Sequence, residues 1–271
     1  MRKLLSPARG AARLGARASR ALKRHGIRGF LRLVFYNVRL LATGRARDHR
    51  YVYDSAFDIE HGVDTLGVVE PDEMAVPEPL HRGVERYEAA EPEFFEFLLQ
   101  RAGPLAPRDR IFIDIGSGKG RVLLMAAMAD FRRVVGVELD SRLHDIACRN
   151  ITIMSRRFPF AEVRSVNQDG ITYEFPRRPT VCFINNPFDR GQIERLLDNL
   201  EDSLAAHPRD MLLIYIHAFH IDAIRQRGGW REVEYGFFRS VRHPFAILSW
   251  RRGSASKVGG GPAKQAGSEL T

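Results

Sequence analysis

The chain has 271 residues, of which 44% are hydrophobic and 28% are charged, so it can bury one substantial core and we expect one main domain. Its two cysteines, Cys148 and Cys182, lie in apolar segments without C-x-x-C spacing. This argues against a metal site and a disulfide framework, and it fits a reducing, cytoplasmic compartment. No uncharged apolar run reaches the roughly 18 residues that a membrane span needs.

Positive charge is concentrated at the two ends of the chain. The net charge is +9, but residues 1–50 carry +13 (14 Lys and Arg against Asp48) and residues 251–271 carry +3, which leaves −7 for residues 51–250. Any affinity for a polyanion therefore belongs to the ends rather than to the body of the protein. The Gly- and Ser-rich residues 251–271 are predicted to be a disordered tail.

Residues 1–50 are predicted to form a basic amphipathic arm. Arginines recur at steps of three or four, which on a helix places them along one stripe: Arg9, Arg13, Arg17, Arg20 and Arg24. Residues 27–41 are more apolar and keep two further arginines four residues apart. The arm could associate with an anionic membrane surface, pack on the domain, stay solvated, act as a targeting peptide or contact nucleic acid. The pattern leaves these alternatives open.

Residues 51–108, called here the lid segment, are polar and contain several prolines. They include Gly62-Val63-Asp64-Thr65, later Tyr87, and then a helical stretch from Glu93 to Leu99. We expect a helical lid over the following domain, with direct substrate contact by Tyr87 or Asp64 as the alternative.

A buried strand, Ile111 to Ile115, stops in a glycine-rich turn and is followed by a helix-forming run from Arg121 to Ala129. Strand, glycine loop and helix together can cradle a nucleotide, because glycines let backbone amides approach a ligand.

The spacing of the glycines distinguishes between several kinds of nucleotide-binding loop. A dinucleotide fingerprint would place its third glycine at Arg121, and a P-loop would need glycine at Ile113 and Ser or Thr at Gly120. What remains is Asp114-Ile115-Gly116-Ser117-Gly118-Lys119-Gly120, which resembles the first motif of class I S-adenosylmethionine-dependent methyltransferases. The other interpretation is a glycine turn of any α/β domain with the acid as a helix cap.

The resemblance implies a fold, a cofactor and a set of contacts. The fold is a Rossmann-like α/β sheet of seven strands with helices on both faces and the last strand antiparallel. The resemblance covers roughly residues 90–250, of which 109–250 are the predicted catalytic domain. The cofactor is S-adenosyl-L-methionine, with Asp114 holding its ammonium end and Gly116, Ser117, Gly118 and Gly120 fitting around its sulfonium and ribose. The lid segment commonly covers the cofactor in this family. Its Gly-Val-Asp-Thr stretch and Tyr87 are similar to the start of uncharacterised bacterial proteins predicted to be methyltransferases.

Two further acids follow predicted strands. Glu138 ends the second strand, 20 residues after Gly118, where a carboxylate can accept hydrogen bonds from both ribose hydroxyls. A helix-capping role is the alternative, although Asp140 and Ser141 are better placed for it. Asp169 follows a third strand, where the family usually carries an acid that accepts from the adenine amino group; Asp169-Gly170 is also a plain turn signal.

A fourth apolar strand, from Thr180 to Ile184, ends at Asn185-Asn186-Pro187-Phe188. This cluster resembles the Asn/Asp-Pro-Pro-Tyr/Phe motif of methyltransferases that act on planar nitrogen, with one proline in place of two. The resemblance implies that Asn186 and the backbone at Pro187 accept hydrogens from a target NH₂ and that Phe188 stacks on the target. The alternative is a strand-to-helix loop that faces the cofactor.

The remaining sequence completes the sheet. Met211 to His217 reads as a fifth strand, and residues 230–238 and 245–250 read as the last two. His217 and His220 could face the pocket, although a structural role is the favoured interpretation.

The sequence therefore predicts an S-adenosylmethionine-dependent methyltransferase with an unidentified acceptor, which could be a planar nitrogen. A degenerate nucleotide-binding dehydrogenase is disfavoured by Arg121. The other alternative is a non-catalytic S-adenosylmethionine-binding module that the basic arm recruits to a membrane surface.

Overall fold

The computed structural model describes residues 51–76, 84–159, 161–185, 188–239 and 244–250. The predicted arm at 1–50, the predicted tail at 251–271 and two residues of the predicted site, Asn186 and Pro187, lie outside the described residues.

The described chain alternates strands and helices after a mixed beginning. Its elements in chain order are α1 (Tyr51–His61), β1 (Val68–Val69), β2 (Tyr87–Glu88), α2 (Pro92–Arg101), β3 (Ile111–Ile115), α3 (Arg121–Met128), β4 (Arg133–Glu138), α4 (Ser141–Ser155), β5 (Glu162–Asn167), β6 (Thr180–Asn185), α5 (Arg190–Ala206), β7 (Met211–Ile216), α6 (Ile221–Arg225), β8 (Arg231–Phe237) and β9 (Pro244–Trp250).

Seven strands form one sheet in the order β5-β4-β3-β6-β7-β9-β8. Neighbouring strands from β5 to β7 pair in parallel, whereas β9 runs antiparallel to both β7 and β8. This is the seven-stranded, Rossmann-like sheet that the resemblance to class I methyltransferases implies, so the predicted fold class is confirmed.

Helices cover both faces because the strand residues alternate between two apolar clusters. Ile111, Ile113 and Ile115 of β3 pack with the apolar sides of α5 and α6, whereas Phe112 packs with those of α2 and α3. All five residues of β3 are buried, which explains why four of them are apolar; the fifth is Asp114.

The lid segment is less helical than predicted. It contributes α1 and α2, but β1 and β2 also pair antiparallel in a small sheet of their own, with Val69 opposite Tyr87. Pro92 is the first residue of α2, a position that proline favours because no amide hydrogen is needed there.

The order of the strands creates a crevice beside β3. The chain leaves β3 toward β4 on one side and later returns to β6 on the other, so the loops after β3 and β6 diverge. Ligands of open parallel sheets bind at such a reversal, outside the carboxyl ends of the strands. Among the described helices, none combines the length and the apolar character needed to cross a membrane.

Candidate functional site

A cavity of ≈ 490 Å³ occupies this crevice. One part, the glycine-loop end, is lined by Asp114, Gly116, Ser117, Gly118, Glu138 and Asp169. The other part, the aromatic end, is lined by Phe94, Asn185, Phe188, His217, Phe219 and Phe238. The strand ends that the sequence pointed to therefore converge on a single cavity, which is large enough for a small organic ligand.

The glycine loop folds back onto the end of β4. Gly116, Gly118 and Gly120 all adopt positive φ, at 76°, 54° and 83°, which other residues rarely tolerate. The amides of Gly116 and Ser117 donate to the carbonyl of Val137 over 2.9 and 3.2 Å. These bonds fix the loop at the floor of the cavity.

Glu138 binds the loop through its side chain. One carboxylate oxygen accepts from the amide of Gly118 at 2.6 Å, and the other accepts from the amide of Asp140 at 2.8 Å. The residue is only 7% exposed, and burial raises its pKa to about 7, although the two backbone hydrogen bonds act in the opposite direction.

Asp114 lies on β3 beside this carboxylate and is also buried. Burial raises the pKa of Asp114 well above its usual value, and the charge of Glu138 raises it further. Two neighbouring buried carboxyl groups resist ionising together unless positive charge or hydrogen-bond donors arrive. The glycine-loop end is therefore suited to a ligand that carries both.

The other predicted loop residues differ in position. The Ser117 hydroxyl is buried, has no hydrogen-bond partner among the described residues, and lies toward Gly136, where an added Cβ would come within 2.6 Å of it. Gly120 does not line the cavity; it precedes α3 and packs closely against Ala147.

Asp169 caps a turn and also lines the cavity. A carboxylate oxygen accepts from the amide of Ile171 at 2.9 Å and caps the short turn Gly170–Thr172, as the turn interpretation requires. The residue also lines the cavity. Capping uses one oxygen of the carboxylate, so it does not preclude contact between Asp169 and a ligand.

The charged residues of the lining are mostly acidic. Its three guanidinium groups each pair with a carboxylate: Arg86 with Glu88 at 3.0 Å, Arg121 with Asp58 at 3.4 Å, and Arg239 with Glu91 at 2.9 Å. The lining acids number six: Glu85, Glu88, Glu91, Asp114, Glu138 and Asp169. Within the described lining, a cationic ligand is thus better matched than a phosphate-bearing one.

At the aromatic end, the ends of β6 and β7 meet through a side-chain hydrogen bond. His217 Nδ1 lies 3.0 Å from Asn185 Oδ1, and because a carbonyl oxygen only accepts, Nδ1 carries the hydrogen. His217 has a φ of 50°, and its ring lies nearly parallel to that of Phe219, which is 58% exposed. His217 therefore faces the cavity, whereas His220 precedes α6 outside the lining.

Phe188 lines the same end, and its ring lies 3.6 Å from the position that a Cβ on Gly170 would take. Sequence reasoning did not find Phe238 and Arg239, which also line the cavity. They follow β8, which runs in the same direction as β7 because each is antiparallel to β9. Because ligands bind outside the carboxyl ends of such strands, the predicted end of β8 could have pointed to Phe238 and Arg239.

Strand order, glycine loop and the acid at the end of β4 together define a class I methyltransferase fold. No family model matches the chain, and no curated protein matches it. Solved structures resemble it in part. The 23S rRNA methyltransferase ErmE has 20% identity and a TM-score of 0.40, over 58% of this chain and 67% of that one. The putative methyltransferase yhhF from Escherichia coli has 14% identity and a TM-score of 0.47, over 68% and 99%.

Geranyl diphosphate C-methyltransferase from Streptomyces coelicolor A3(2), solved with S-adenosyl-L-homocysteine, has 15% identity and a TM-score of 0.45, over 60% of this chain and 78% of that one. The fold class of the present chain rests on the order and register of its own sheet.

Proposed function

We propose that the protein is a methyltransferase that uses S-adenosyl-L-methionine as methyl donor. The observation that carries this proposal is the pair of neighbouring buried carboxyl groups, Asp114 and Glu138, beside the glycine loop at the switch point of the sheet. A carboxylate pair of this kind favours a ligand with a cationic group and hydroxyl donors.

The acidic lining supports S-adenosyl-L-methionine over a dinucleotide. The cofactor carries a sulfonium and an ammonium group, whereas a dinucleotide carries a pyrophosphate that requires donors or positive charge. Each guanidinium group of the described lining pairs with a carboxylate, and Arg121 stands where the dinucleotide fingerprint needs glycine.

The residues present fit the cofactor in these roles: Asp114 toward the ammonium end, Glu138 toward the ribose hydroxyls and Asp169 toward the adenine amino group. Gly116, Ser117 and Gly118 would surround the ligand with backbone, whereas the buried Ser117 hydroxyl lies toward Gly136. When bound, the cofactor supplies a methyl group on a positively charged sulfur that leaves as a neutral thioether. The protein's contribution is then mainly to orient the acceptor.

For the acceptor we propose a planar nitrogen, oriented by Asn186 and Pro187 and stacked on Phe188. The support is the sequence pattern together with the aromatic surfaces of Phe188, Phe219 and Phe238 at one end of the cavity. Aromatic side chains bind planar groups by offset or edge contacts, which would hold the acceptor in one orientation.

The proposal is tested by incubating purified protein with methyl-labelled S-adenosyl-L-methionine and fractionated cell extract. We expect label in an acceptor and stoichiometric S-adenosylhomocysteine. Cofactor binding without turnover in any fraction would favour the non-catalytic module, and folded protein that does not bind the cofactor would contradict the proposal.

A further inference from the structure

Arg121 is a buried arginine at the first position of α3. It is 2% exposed, and positive charge at a helix N-terminus is unfavourable because that end of the helix dipole is also positive. Its side chain reaches across to the lid segment, where Nε donates to the Thr65 hydroxyl at 2.6 Å and a terminal nitrogen lies 3.4 Å from an Asp58 carboxylate oxygen.

Asp58 organises the lid segment around this guanidinium. Its carboxylate accepts from the amides of Thr65 and Leu66 at 2.7 and 2.9 Å, and also from the Thr65 hydroxyl. Thr65 is fully buried, and its hydroxyl both accepts from Arg121 and donates to Asp58. The position of Thr65 is therefore determined by two charged partners.

Thr65 in turn holds Tyr87. The Tyr87 hydroxyl donates to the carbonyl of Thr65 at 2.6 Å, and the Tyr87 ring lies against Gly118. A Cβ added at Gly118 would fall 2.1 Å from a ring carbon of Tyr87. Gly118 also donates to Glu138, so a continuous set of contacts runs from Asp58 and Arg121 through Thr65 and Tyr87 to the cofactor loop.

A second set of contacts fastens the same part of the lid. Lys119 Nζ donates to the carbonyl of Leu66 at 2.6 Å and to Asp64 at 3.0 Å. The Asn150 amide donates to the carbonyls of Asp64 and Lys119 at 2.7 and 2.9 Å. Residues 64–66 are thus fixed to the glycine loop at several points.

We propose that Asp58, Thr65 and Arg121 are positioning residues that hold the Tyr87 ring over Gly118, and that Tyr87 is a binding residue for the cofactor; this inference rests on the proposed function. A buried ion pair is weak evidence for stabilisation, since apolar side chains of similar volume often stabilise a core equally well. Here the pair instead fixes a ring that lines the cavity beside Gly118. Arg121 thus holds the lid at the position where a dinucleotide site needs glycine.

The test measures S-adenosyl-L-methionine affinity by calorimetry and melting temperature without ligand, for three variants. Thr65→Val removes the hydroxyl, Thr65→Ser keeps it, and Thr180→Val is the control. Thr180 is equally buried, and its hydroxyl donates to the carbonyl of Arg178 at 2.8 Å. It is the first residue of β6, at the amino end of the strand, whereas the cavity lies at the carboxyl ends.

Thr65→Val loses both hydrogen bonds of the hydroxyl, to Arg121 and to Asp58, so the lid should hold Tyr87 less firmly. We expect its Kd to rise about tenfold, with Thr65→Ser close to wild type. Thr180→Val should lower the melting temperature while leaving the Kd unchanged. A Kd for Thr65→Val equal to that of Thr180→Val would overturn the inference. If Thr65→Val does not fold, Tyr87→Phe serves instead, because it removes only the hydroxyl that contacts Thr65.

A ligand-free measurement separates this inference from the proposed function. The loss of melting temperature caused by Gly118→Ala is compared in the wild-type and Tyr87→Ala backgrounds. We expect a smaller loss without the Tyr87 ring, because only the strain of positive φ remains. Equal losses would contradict the position of the ring. If the losses differ as expected but the wild-type protein binds no S-adenosyl-L-methionine, only the proposed function is contradicted.

Discussion

The carboxylate of Glu138 accepts a 2.6 Å hydrogen bond from the backbone amide of Gly118, and this bond joins the end of β4 to the glycine loop. The acid proposed to bind the ribose hydroxyls therefore also shapes the loop that faces the ligand. Its second oxygen accepts from Asp140, so both oxygens are already oriented by backbone donors. Because the carboxylate is already oriented, less side-chain entropy is lost when a ligand binds to it.

Replacing Glu138 with alanine should weaken S-adenosyl-L-methionine binding by about 1.5–3 kcal/mol, the usual contribution of hydrogen bonds to a charged group. Calorimetry measures the change directly. Glu162→Ala is a suitable control, since Glu162 is an exposed acid at the first position of β5. Affinity equal to wild type in Glu138→Ala would move the ribose contact to another residue.

The raised pKa of Glu138 predicts how stability depends on pH. In the folded state the Glu138 carboxyl group keeps its proton up to about pH 7, whereas in the unfolded chain it loses the proton near pH 4.5. The contribution of Glu138 to stability is therefore full below pH 4.5 and is lost as the pH rises through 7. The melting temperature of ligand-free Glu138→Gln should accordingly fall less between pH 5 and pH 8 than that of wild type. Melting temperatures that fall equally in Glu138→Gln and wild type over this pH range would contradict the raised pKa of Glu138.

Cofactor affinity should rise with pH, whereas the stability of the ligand-free protein should fall. Ribose hydroxyls donate more strongly to an ionised carboxylate, so binding should strengthen from pH 5.5 to pH 8 and release protons below pH 7. Calorimetry in two buffers of different ionisation enthalpy counts the protons. Binding that is independent of pH and releases none would show that Glu138 does not contact the ligand.

Gly118→Val should both weaken cofactor binding and lower the melting temperature. The added side chain would meet the Tyr87 ring and would also stand where the backbone is proposed to approach the ligand. Gly228→Val provides the control, because an added Cβ there has nothing within 4 Å and its φ is not left-handed. If Gly118→Val behaves like Gly228→Val in both measurements, the packing of Tyr87 on the loop is wrong.

The acceptor proposal predicts that Asn186→Ala and Phe188→Ala lower turnover much more than cofactor affinity, because both residues would act on the acceptor. The measurement is kcat with the acceptor that the extract assay identifies, alongside the Kd for S-adenosyl-L-methionine. Turnover within a few-fold of wild type for Asn186→Ala would remove the planar-nitrogen interpretation.

His217→Asn tests the polar pair at the aromatic end. Asparagine adopts positive φ readily, so this change keeps the backbone and removes only the imidazole. We expect a raised KM for the acceptor and an unchanged Kd for the cofactor. His220→Asn is the matched control outside the cavity lining. Equal KM values in the two variants would show that His217 does not contribute to acceptor binding.

The glycine loop and Glu138 could be located from sequence because their positions follow from the fold. Buried strands read as apolar runs, parallel strands end at one edge of the sheet, and acids near the carboxyl ends of adjacent strands must lie near one another. Asp114 and Glu138 accordingly line one cavity in the structure. Their ligand contacts stay predictions, as do those of Asn186 and Pro187.

The contacts of Arg121 could not be predicted in the same way. Its partner Asp58 lies 63 residues away in the chain, and no local periodicity specifies such a pairing. The pairing of Val69 with Tyr87 in the lid segment likewise depends on tertiary contacts rather than on strand propensity. Sequence reasoning used Arg121 only to exclude a dinucleotide site, whereas the structure gives that side chain a buried partner.

The proposed cofactor site is tested most directly by a calorimetric comparison of S-adenosyl-L-methionine and NAD as ligands of the purified wild-type protein and of Glu138→Ala. We expect saturable binding of S-adenosyl-L-methionine to wild type, a Kd at least about tenfold weaker in Glu138→Ala, and no binding of NAD. Binding of NAD in preference to S-adenosyl-L-methionine, or folded wild-type protein that binds neither, would contradict the proposed cofactor site.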